Sequence, residues 1–581
     1  MMTALEIRNR ILAAVSRNGG HLASSLGAVE LAMALAQTFD PEKDRIVWDV
    51  GHQAYAWKIL TGRADRFDTL RRLDGLSGFP NPAESRADAA VAGHAGVAIS
   101  VAEGMAAART ARGGDEQVVA VVGDASLSNG TSLEALNNCV NADGKIIVIL
   151  NDNEMSISKP TGALSRYLGR LIAGRRYNRV KAAVKAVEKA VGMSFLNKPI
   201  RRIKAFIKRM LIGHAYFEQM GLRYMGPVDG HDVAALTAAL DVAKKDRRSV
   251  LLHVVTVKGR GYAPAVKDPE KWHGVGAFTI AASPDDDRAA APAERQTTWS
   301  DAFGAALTAA AENDRRIVAL TAAMKDGTGL TEFAARFPRR FKDVGISEGH
   351  MVAYAAGLAA GGMRPVVAVY STFLQRAVDQ IMHDVCIAKL PVVFCVDRAG
   401  VVGADGVTHQ GVFDIALLRA LPNLTICQPK DAADLAALLD EALRRDGPTV
   451  IRYPRGVAPA AAADAPLPAP RSPTCAIWAT GDWYGKACAI AARVGGTAVH
   501  ARYLKPFDAV LLKRQRAAGM TIVSLENGSV AGGFGEAIGA DIKFGWPDEF
   551  IPHGTQAELE RRYGLDVETI TEVLKNGNGT R

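Results

Sequence analysis

The 581-residue sequence predicts an α/β fold of three tandem α/β domains with mainly parallel sheets. Short runs rich in valine and isoleucine alternate with longer alanine-rich segments of helical periodicity. This pattern is typical of parallel strands that helices cover on both faces. Two alanine- and proline-rich stretches, 281–295 and 457–473, lack both periodicities and divide the chain into three blocks. A chain of this length is also too long for one ordinary core.

We therefore predict domains at 1–280, 296–456 and 474–581, joined by linkers at 281–295 and 457–473. Each block contains several apolar runs of strand length. The predicted strands are 118–124, 146–152, 250–256, 316–323, 364–370, 390–397, 449–454, 475–481, 497–503 and 520–526. Ligands of parallel sheets bind beyond the carboxyl ends of the strands, so candidate functional residues are expected there.

The net charge of +9 is concentrated in one tract. Fourteen basic residues and one acidic residue lie between Arg166 and Arg209, inside a predicted basic helical insert at about 165–215. Such a tract can bind nucleic acid or an acidic surface. No nucleic-acid-binding motif accompanies it, so we predict a solvated helical face and no nucleic-acid partner.

Cysteine usage and hydropathy indicate a cytoplasmic protein with no membrane partner. The six cysteines are scattered without CxxC pairing, which is typical of small buried side chains in a reducing compartment. No apolar run approaches the roughly 20 residues that span a bilayer. The first 21 residues alternate charged and apolar residues and lack the core of a signal peptide.

Polar residues follow two predicted strands of the first block. Asp124 ends the run 118–124, and Asn153 comes directly after the run 146–152. A carboxylate, an amide oxygen and a nearby backbone carbonyl are hard donors that suit Mg²⁺ bound to a diphosphate. A helix predicted to begin near Ser132 adds positive potential for phosphate. Taken alone, Asp124 is equally typical of a helix cap.

Long collinear motifs in all three blocks make the chain resemble the 1-deoxy-D-xylulose-5-phosphate synthase family of transketolase-like, thiamine-diphosphate-dependent enzymes. The matching segments are HLASSLGAVEL (21–31), WDVGHQAYAWKILTGR (48–63), GLSGFPNPAES (75–85), MGPVDGHD (225–232), KGRGYAPA (258–265), DVGISEGH (343–350), YSTFLQRAVDQIMHDV (370–385), DRAGVVGADGVTHQGVFD (397–414), RYPRG (452–456), ENGSVAGGFGEAI (526–538) and FIPHGT (550–555). The resemblance implies a thiamine-diphosphate-binding fold with diphosphate-binding, pyrimidine-binding and transketolase C-terminal-like domains.

The resemblance also implies where the cofactor binds. Asp124, Asn153 and the carbonyl of Met155 match the family's ligands of Mg²⁺. Glu348 matches the carboxyl group that forms a hydrogen bond with the cofactor's pyrimidine nitrogen. Phe373 matches the aromatic ring that stacks on the pyrimidine. The other cofactor-binding positions are His52, His94 and Lys258.

For the reaction, the resemblance implies decarboxylation of pyruvate and condensation with D-glyceraldehyde 3-phosphate to 1-deoxy-D-xylulose 5-phosphate. Glu348, His52 and further polar residues are the expected catalytic groups, because imidazoles can transfer protons near neutral pH. The further catalytic candidates are His21, His273, His409 and Asp405. Tyr370, Arg376 and Arg455 match the positions that bind the acceptor's phosphate, which the planar guanidinium suits.

The resemblance further implies a homodimer whose product serves isoprenoid, thiamine and pyridoxal phosphate synthesis, with the basic tract as a mobile cover. Departures from the family's motifs occur at Ser25, Ala95, Gly96, Ala125 and Gly349. They leave open a divergent paralogue, a transketolase-like carboligase with another donor or aldehyde. A third reading, a binding protein without catalysis, is disfavoured by Asp124, Asn153 and Glu348.

Overall fold

A computed structural model describes residues 2–141, 143–153, 162–164, 167, 215–280, 296–459 and 473–576. Within them, residues 2–68 and 79–280 form one compact unit, and residues 69–78 and 296–576 form a second. Met155, the linker 281–295, most of the linker 457–473 and the basic tract apart from Tyr167 lie outside the described residues. What the sequence predicts for Met155, both linkers and the tract therefore stays a prediction.

The first unit contains a parallel five-stranded sheet in the order β1-β2-β3-β5-β4. Its strands are β1 (Arg45–Trp48), β2 (Val118–Gly123), β3 (Ile147–Asp152), β4 (Arg223–Asp229) and β5 (Val250–Val255). β2, β3 and β5 are almost wholly buried, as expected of strands covered on both faces. The described α-helices are Ala4–Asn18, Leu22–Gly27, Val29–Thr38, Tyr55–Lys58, Ala98–Arg112, Asp124–Leu127, Gly130–Asn138, Ala215–Gln219, Val233–Lys245 and Ala263–Lys267.

The larger sheet of the second unit has seven strands in the order β14-β10-β11-β9-β8-β6-β7. The strands are β6 (Ile317–Thr321), β7 (Phe341–Asp343), β8 (Arg364–Tyr370), β9 (Val393–Asp397), β10 (Thr425–Cys427), β11 (Thr449–Arg452) and β14 (Tyr503–Lys505). All pairs are parallel except β10 with β14. The α-helices between residues 296 and 459 are Trp299–Asn313, Thr331–Arg336, Glu348–Ala360, Ser371–Leu374, Val378–Gln380, Asp414–Arg419 and Ala432–Arg444, with a π-helical turn at Ile381–Cys386.

The smaller sheet of the second unit is parallel, in the order β13-β12-β15-β16. Its strands are β12 (Cys475–Thr480), β13 (Thr497–Ala501), β15 (Thr521–Ser529) and β16 (Ile542–Trp546). The helices of this part are Tyr484–Val494, Ala509–Ala517, Phe534–Ala537, Gln556–Arg562 and Val567–Lys575.

The prediction of an α/β fold with mainly parallel sheets is confirmed. One predicted strand, 497–503, is in fact two, because the chain leaves the four-stranded sheet after Ala501 and joins the seven-stranded sheet at Tyr503. The third block thus contributes β14 to the sheet of the second block. The exact domain boundaries stay a prediction.

Two further expectations concern cysteines and membranes. Five of the six cysteines are buried, Cys488 is half-buried, and all six carry free thiols. Burial raises the pKa of the Cys395 and Cys427 thiols, which keeps them in the protonated form. Among the described residues, no helix combines the length and the apolar character needed to cross a membrane.

Candidate active site

The carboxyl ends of β2 and β3 lie side by side in the first unit. Gly123 pairs with Asn151, so Asp124 and Asn153 follow neighbouring strands, and the predicted adjacency of these two strand ends is confirmed. Asp124 opens the short helix Asp124–Leu127. The next helix begins at Gly130 with Asn129 as its cap, two residues before the predicted start near Ser132.

The electrostatics of this strand edge favour a cation. Asp124 and Asp152 are buried, and burial together with the Asp152 carboxylate raises the pKa of Asp124 to about 7. The nearby Lys258 is also buried; burial lowers its pKa to about 8, and the Asp124 carboxylate opposes that shift. Two buried carboxyl groups beside one ammonium leave a negative excess, and their hard oxygens fit Mg²⁺.

Three predicted histidines cluster in the first unit. The ring centres of His21, His52 and His273 lie 5.3–6.0 Å apart, and Phe79 lies 5.3 Å from His21. Burial lowers the pKa of His52 and His273 well below the ordinary histidine value. Both imidazoles are therefore neutral near pH 7, with one ring nitrogen that donates and one that accepts a hydrogen bond. Within the described part of the chain, the buried Nδ1 of His52 has no hydrogen-bond partner, so it is available to a ligand.

The loop that carries His94 is fixed by a buried carboxylate that sequence reasoning missed. Asp49, just after β1, accepts hydrogen bonds from the backbone amides of Gly96, Val97 and Ala98 at 2.9–3.0 Å. Gly96 has φ +91°, and a Cβ there would meet the Asn129 side chain at 2.3 Å. The WDVGH segment, a strand end followed by Asp, was the available sequence signal.

In the second unit, Glu348 is the first residue of the helix Glu348–Ala360 and is only 3% exposed. Burial raises the pKa of its carboxyl group, and the Arg376 guanidinium opposes the shift. Nη1 of Arg376 lies 3.3 Å from Oε2 of Glu348. Arg376, predicted to bind the acceptor phosphate, therefore has the Glu348 carboxylate as its partner in this structure.

The carboxyl end of β8 brings three predicted residues together. The rings of Tyr370 and Phe373 are stacked with centres 5.9 Å apart. The ring of His409 meets Phe373 edge-on at 5.6 Å, and its Nδ1 lies 2.9 Å from Oγ1 of Thr408.

Two arginines that sequence reasoning missed, Arg398 and Arg71, complete this group. The guanidinium of Arg398 lies 3.8 Å from the centre of the Tyr370 ring. Partial burial, and next the Arg398 charge, lowers the pKa of Arg455, whose side chain is 44% exposed. Asp405 forms an ion pair with Arg71 and lies 3.9 Å from Nη1 of Arg455.

The signals for these two arginines differ. Arg398 directly follows the end of β9 and belongs to a matched motif, so its position after a strand end could have identified it. Arg71 is separated from Asp405 by 334 residues, and no local pattern indicates that pairing.

The predicted site residues thus fall into one group in each unit. The first unit holds His21, His52, His94, Asp124, Asn153, Lys258 and His273. The second unit holds Glu348, Tyr370, Phe373, Arg376, Asp405, His409 and Arg455.

The departures from the family's motifs are accommodated locally. Ser25 is buried and donates a hydrogen bond to the backbone oxygen of His52 at 2.9 Å. Ala125 is the second residue of a helical turn, which alanine adopts without strain. A Cβ at Gly349 would lie 3.0 Å from Oε1 of Gln380, which fills that space. Their effect on rate and acceptor preference stays a prediction.

Comparison with known proteins agrees with this geometry. Residues 1–256 match the family model described as 1-deoxy-D-xylulose-5-phosphate synthase, and residues 295–460 match the transketolase pyrimidine binding domain. The second match confirms the predicted transketolase-like fold.

Full-length relatives agree as well. The 1-deoxy-D-xylulose-5-phosphate synthase of Desulforudis audaxviator is 45% identical over 99% of this chain and 94% of its own length. The synthase of Oleidesulfovibrio alaskensis is 45% identical over 98% of this chain and 93% of its own length. Synthase 2 of Geobacter sulfurreducens is 45% identical over 98% of this chain and 95% of its own length. Because this identity extends over nearly the whole of each chain, the protein belongs to the 1-deoxy-D-xylulose-5-phosphate synthase family.

Proposed function

We propose that this chain condenses pyruvate with D-glyceraldehyde 3-phosphate to give 1-deoxy-D-xylulose 5-phosphate and carbon dioxide. The observation that carries the proposal is the 45% identity, over nearly full length, to relatives named for this product. The enzyme is a transferase of the transketolase type. No observation favours a carboligase with another donor or aldehyde.

The cation and the cofactor have suitable partners. Asp124, Asn153 and the Met155 carbonyl would hold Mg²⁺ with the diphosphate, because buried hard oxygens suit this ion. Lys258 would supply a positive charge for the diphosphate, and Phe373 a flat apolar face for the pyrimidine ring. Bound thiamine diphosphate supplies a nucleophilic carbon at which a 2-oxo acid can lose carbon dioxide.

Glu348 holds the proton that the cofactor's pyrimidine nitrogen shares. Burial favours the protonated carboxyl group of Glu348, because the charged form loses solvation. The Arg376 guanidinium at 3.3 Å opposes that preference.

The histidines move protons at the substrate oxygens. Neutral His52 and His273, next to His21, can each accept a proton from the substrate and return it in a later step. His409, in edge contact with Phe373, is proposed for the same purpose. His94 is the remaining histidine with a proposed cofactor contact.

The acceptor's phosphate is bound by arginines and Tyr370. Arg398 and Arg455 place two guanidinium groups near one another, an arrangement that a bound dianion stabilises. Asp405 holds Arg71 and lies near Arg455, so it orients this group of charges. Arg376 would contribute to phosphate binding once it leaves Glu348.

We further propose a cytoplasmic homodimer. Tyr354 and Met382 are 40% and 44% exposed and lie on two helical segments that pack against each other, and Ile387, directly after the second segment, is 68% exposed. Exposed apolar side chains of this kind are typical of contact surfaces. The product would serve isoprenoid, thiamine and pyridoxal phosphate synthesis. This part of the proposal rests on family membership alone.

Removal of cofactor and metal tests the proposal. After treatment with EDTA and gel filtration, the protein is expected to release no carbon dioxide from pyruvate and D-glyceraldehyde 3-phosphate. Neither Mg²⁺ nor thiamine diphosphate alone should restore release, because cation and diphosphate complete one site. Both together should restore it. Release of carbon dioxide without either group, or two-carbon transfer from a ketose phosphate donor as fast as from pyruvate, would contradict the proposed reaction.

A further inference from the structure

A chain of three buried polar side chains runs through the first unit beside the proposed cation site. The Tyr224 hydroxyl lies 2.7 Å from Nδ1 of His253, and Nε2 of His253 lies 3.0 Å from Oδ2 of Asp152. The relative exposures of Tyr224, His253 and Asp152 are 9%, 0% and 2%. Neither the proposed reaction nor the family's motifs assign a role to Tyr224 or His253.

The register of the sheet explains how these side chains meet. β3, β5 and β4 are neighbours, with His253 paired to Leu150 and Leu251 paired to Tyr224. Paired residues of neighbouring strands point to the same face, and so do residues two apart on one strand. Asp152, His253 and Tyr224 therefore share one face.

That face is otherwise apolar. It belongs to a core that includes Val148, Leu150, Phe217 and Leu251. A polar chain inside such a core costs stability unless every group is paired, and apolar residues of similar volume would often serve structure equally well. The three polar side chains therefore point to a role beyond packing.

The hydrogen bonds of the chain have a defined direction. An ionised carboxylate only accepts, so Nε2–H of His253 donates to Asp152. In the tautomer that carries this N–H, Nδ1 accepts from the Tyr224 hydroxyl. Tyr224 thus fixes the ring orientation of His253, and His253 fixes the carboxylate of Asp152.

This carboxylate is next to the proposed cation site in sequence and in space. Asp152 directly precedes Asn153, and its charge acts on Asp124. On the opposite face of the strand, Asn151 donates to Oε1 of Gln53 and accepts from Oγ1 of Thr256, both at 2.7 Å. The end of β3 is therefore held from both faces.

We propose that Tyr224 and His253 are positioning residues that orient the Asp152 carboxylate, and with it the strand end carrying Asn153, for binding of Mg²⁺ with thiamine diphosphate. The inference rests on the cation site of the proposed function. Groups that orient metal-ligand segments typically change metal affinity by about 10–100-fold when removed.

The test is a calorimetric titration of Mg²⁺ into the full-length protein in the presence of saturating thiamine diphosphate. His253→Leu removes the donor to Asp152 and is expected to raise the Mg²⁺ dissociation constant about 10–100-fold. His253→Gln can still donate an amide N–H and should recover most of the affinity. Tyr224→Phe, which deletes one oxygen, should give a smaller increase.

Leu251→Val is the matched control, because Leu251 belongs to the same core without joining the chain. It should lower the melting temperature yet leave the Mg²⁺ dissociation constant unchanged. An unchanged constant in folded His253→Leu would overturn the inference, as would an equal rise in Leu251→Val. Should His253→Leu fail to fold, Tyr224→Phe decides in the same way: a raised constant supports the inference and an unchanged one overturns it.

Failure of the underlying cation site gives a different result. Asp124→Asn should abolish Mg²⁺ binding in the same titration. If the unsubstituted protein binds no Mg²⁺ with thiamine diphosphate, or Asp124→Asn binds it normally, the proposed cation site is wrong.

Discussion

Glu348→Ala is expected to bind thiamine diphosphate while kcat falls by about 10²–10⁴-fold, the usual contribution of a positioned proton-transfer group. The reason is that Glu348 is the buried carboxyl group proposed to share a proton with the cofactor, and alanine has no group to replace it. Steady-state turnover of pyruvate with D-glyceraldehyde 3-phosphate measures the loss. Calorimetric titration of the cofactor checks that binding persists.

Glu332→Ala is the control for this substitution. Glu332 lies in the same domain with its side chain 63% exposed, and its contact is a surface ion pair with Arg336. Loss of such a pair changes stability by at most about 1 kcal/mol and should leave kcat unchanged. A Glu348→Ala protein that retained more than a tenth of the original kcat would show that the proposed role of Glu348 is wrong.

Arg398→Ala and Arg455→Ala are each expected to raise KM for D-glyceraldehyde 3-phosphate by about 10–150-fold, since one charged hydrogen bond contributes roughly 1.5–3 kcal/mol. KM for pyruvate should stay the same, because pyruvate carries no phosphate. The decisive measurement compares D-glyceraldehyde 3-phosphate with unphosphorylated D-glyceraldehyde. The preference for the phosphorylated aldehyde should fall by the same factor.

Arg336→Ala provides the matched control, since its side chain is 45% exposed and that of Arg455 is 44% exposed. Its kinetic constants should not change. If Arg398→Ala and Arg455→Ala slowed turnover of both aldehydes equally, the two arginines would act on the fold or the cofactor and not on the phosphate.

The fold was predictable where burial makes strands continuously apolar. β8 has the predicted bounds. The observed first and last residues of β2, β3, β9 and β12 lie within three residues of those predicted for each strand. β7, β10 and β14 have three residues each, too few for a periodicity. β4 and β16 escaped prediction because their partly exposed residues interrupt the apolar pattern.

The candidate site was predictable where a residue stands in a matched motif, most clearly at a strand or helix end. Asp124, Glu348 and Tyr370 are of this kind. The pairing of Arg71 with Asp405 and the contact of Tyr224 with His253 depend on which strands and loops become neighbours. Local sequence patterns carry no information about such neighbours, so these partners appear only in the folded chain.

The central claim is the identity of the reaction, and one measurement tests it most directly. Purified protein with thiamine diphosphate and Mg²⁺ is incubated with [2-¹³C]pyruvate and D-glyceraldehyde 3-phosphate, and the sugar phosphate is identified by ¹³C NMR and mass. We expect 1-deoxy-D-xylulose 5-phosphate with the label in its ketone carbon and one carbon dioxide released per product. A labelled product from another aldehyde in preference to D-glyceraldehyde 3-phosphate, or no labelled sugar phosphate, would contradict it.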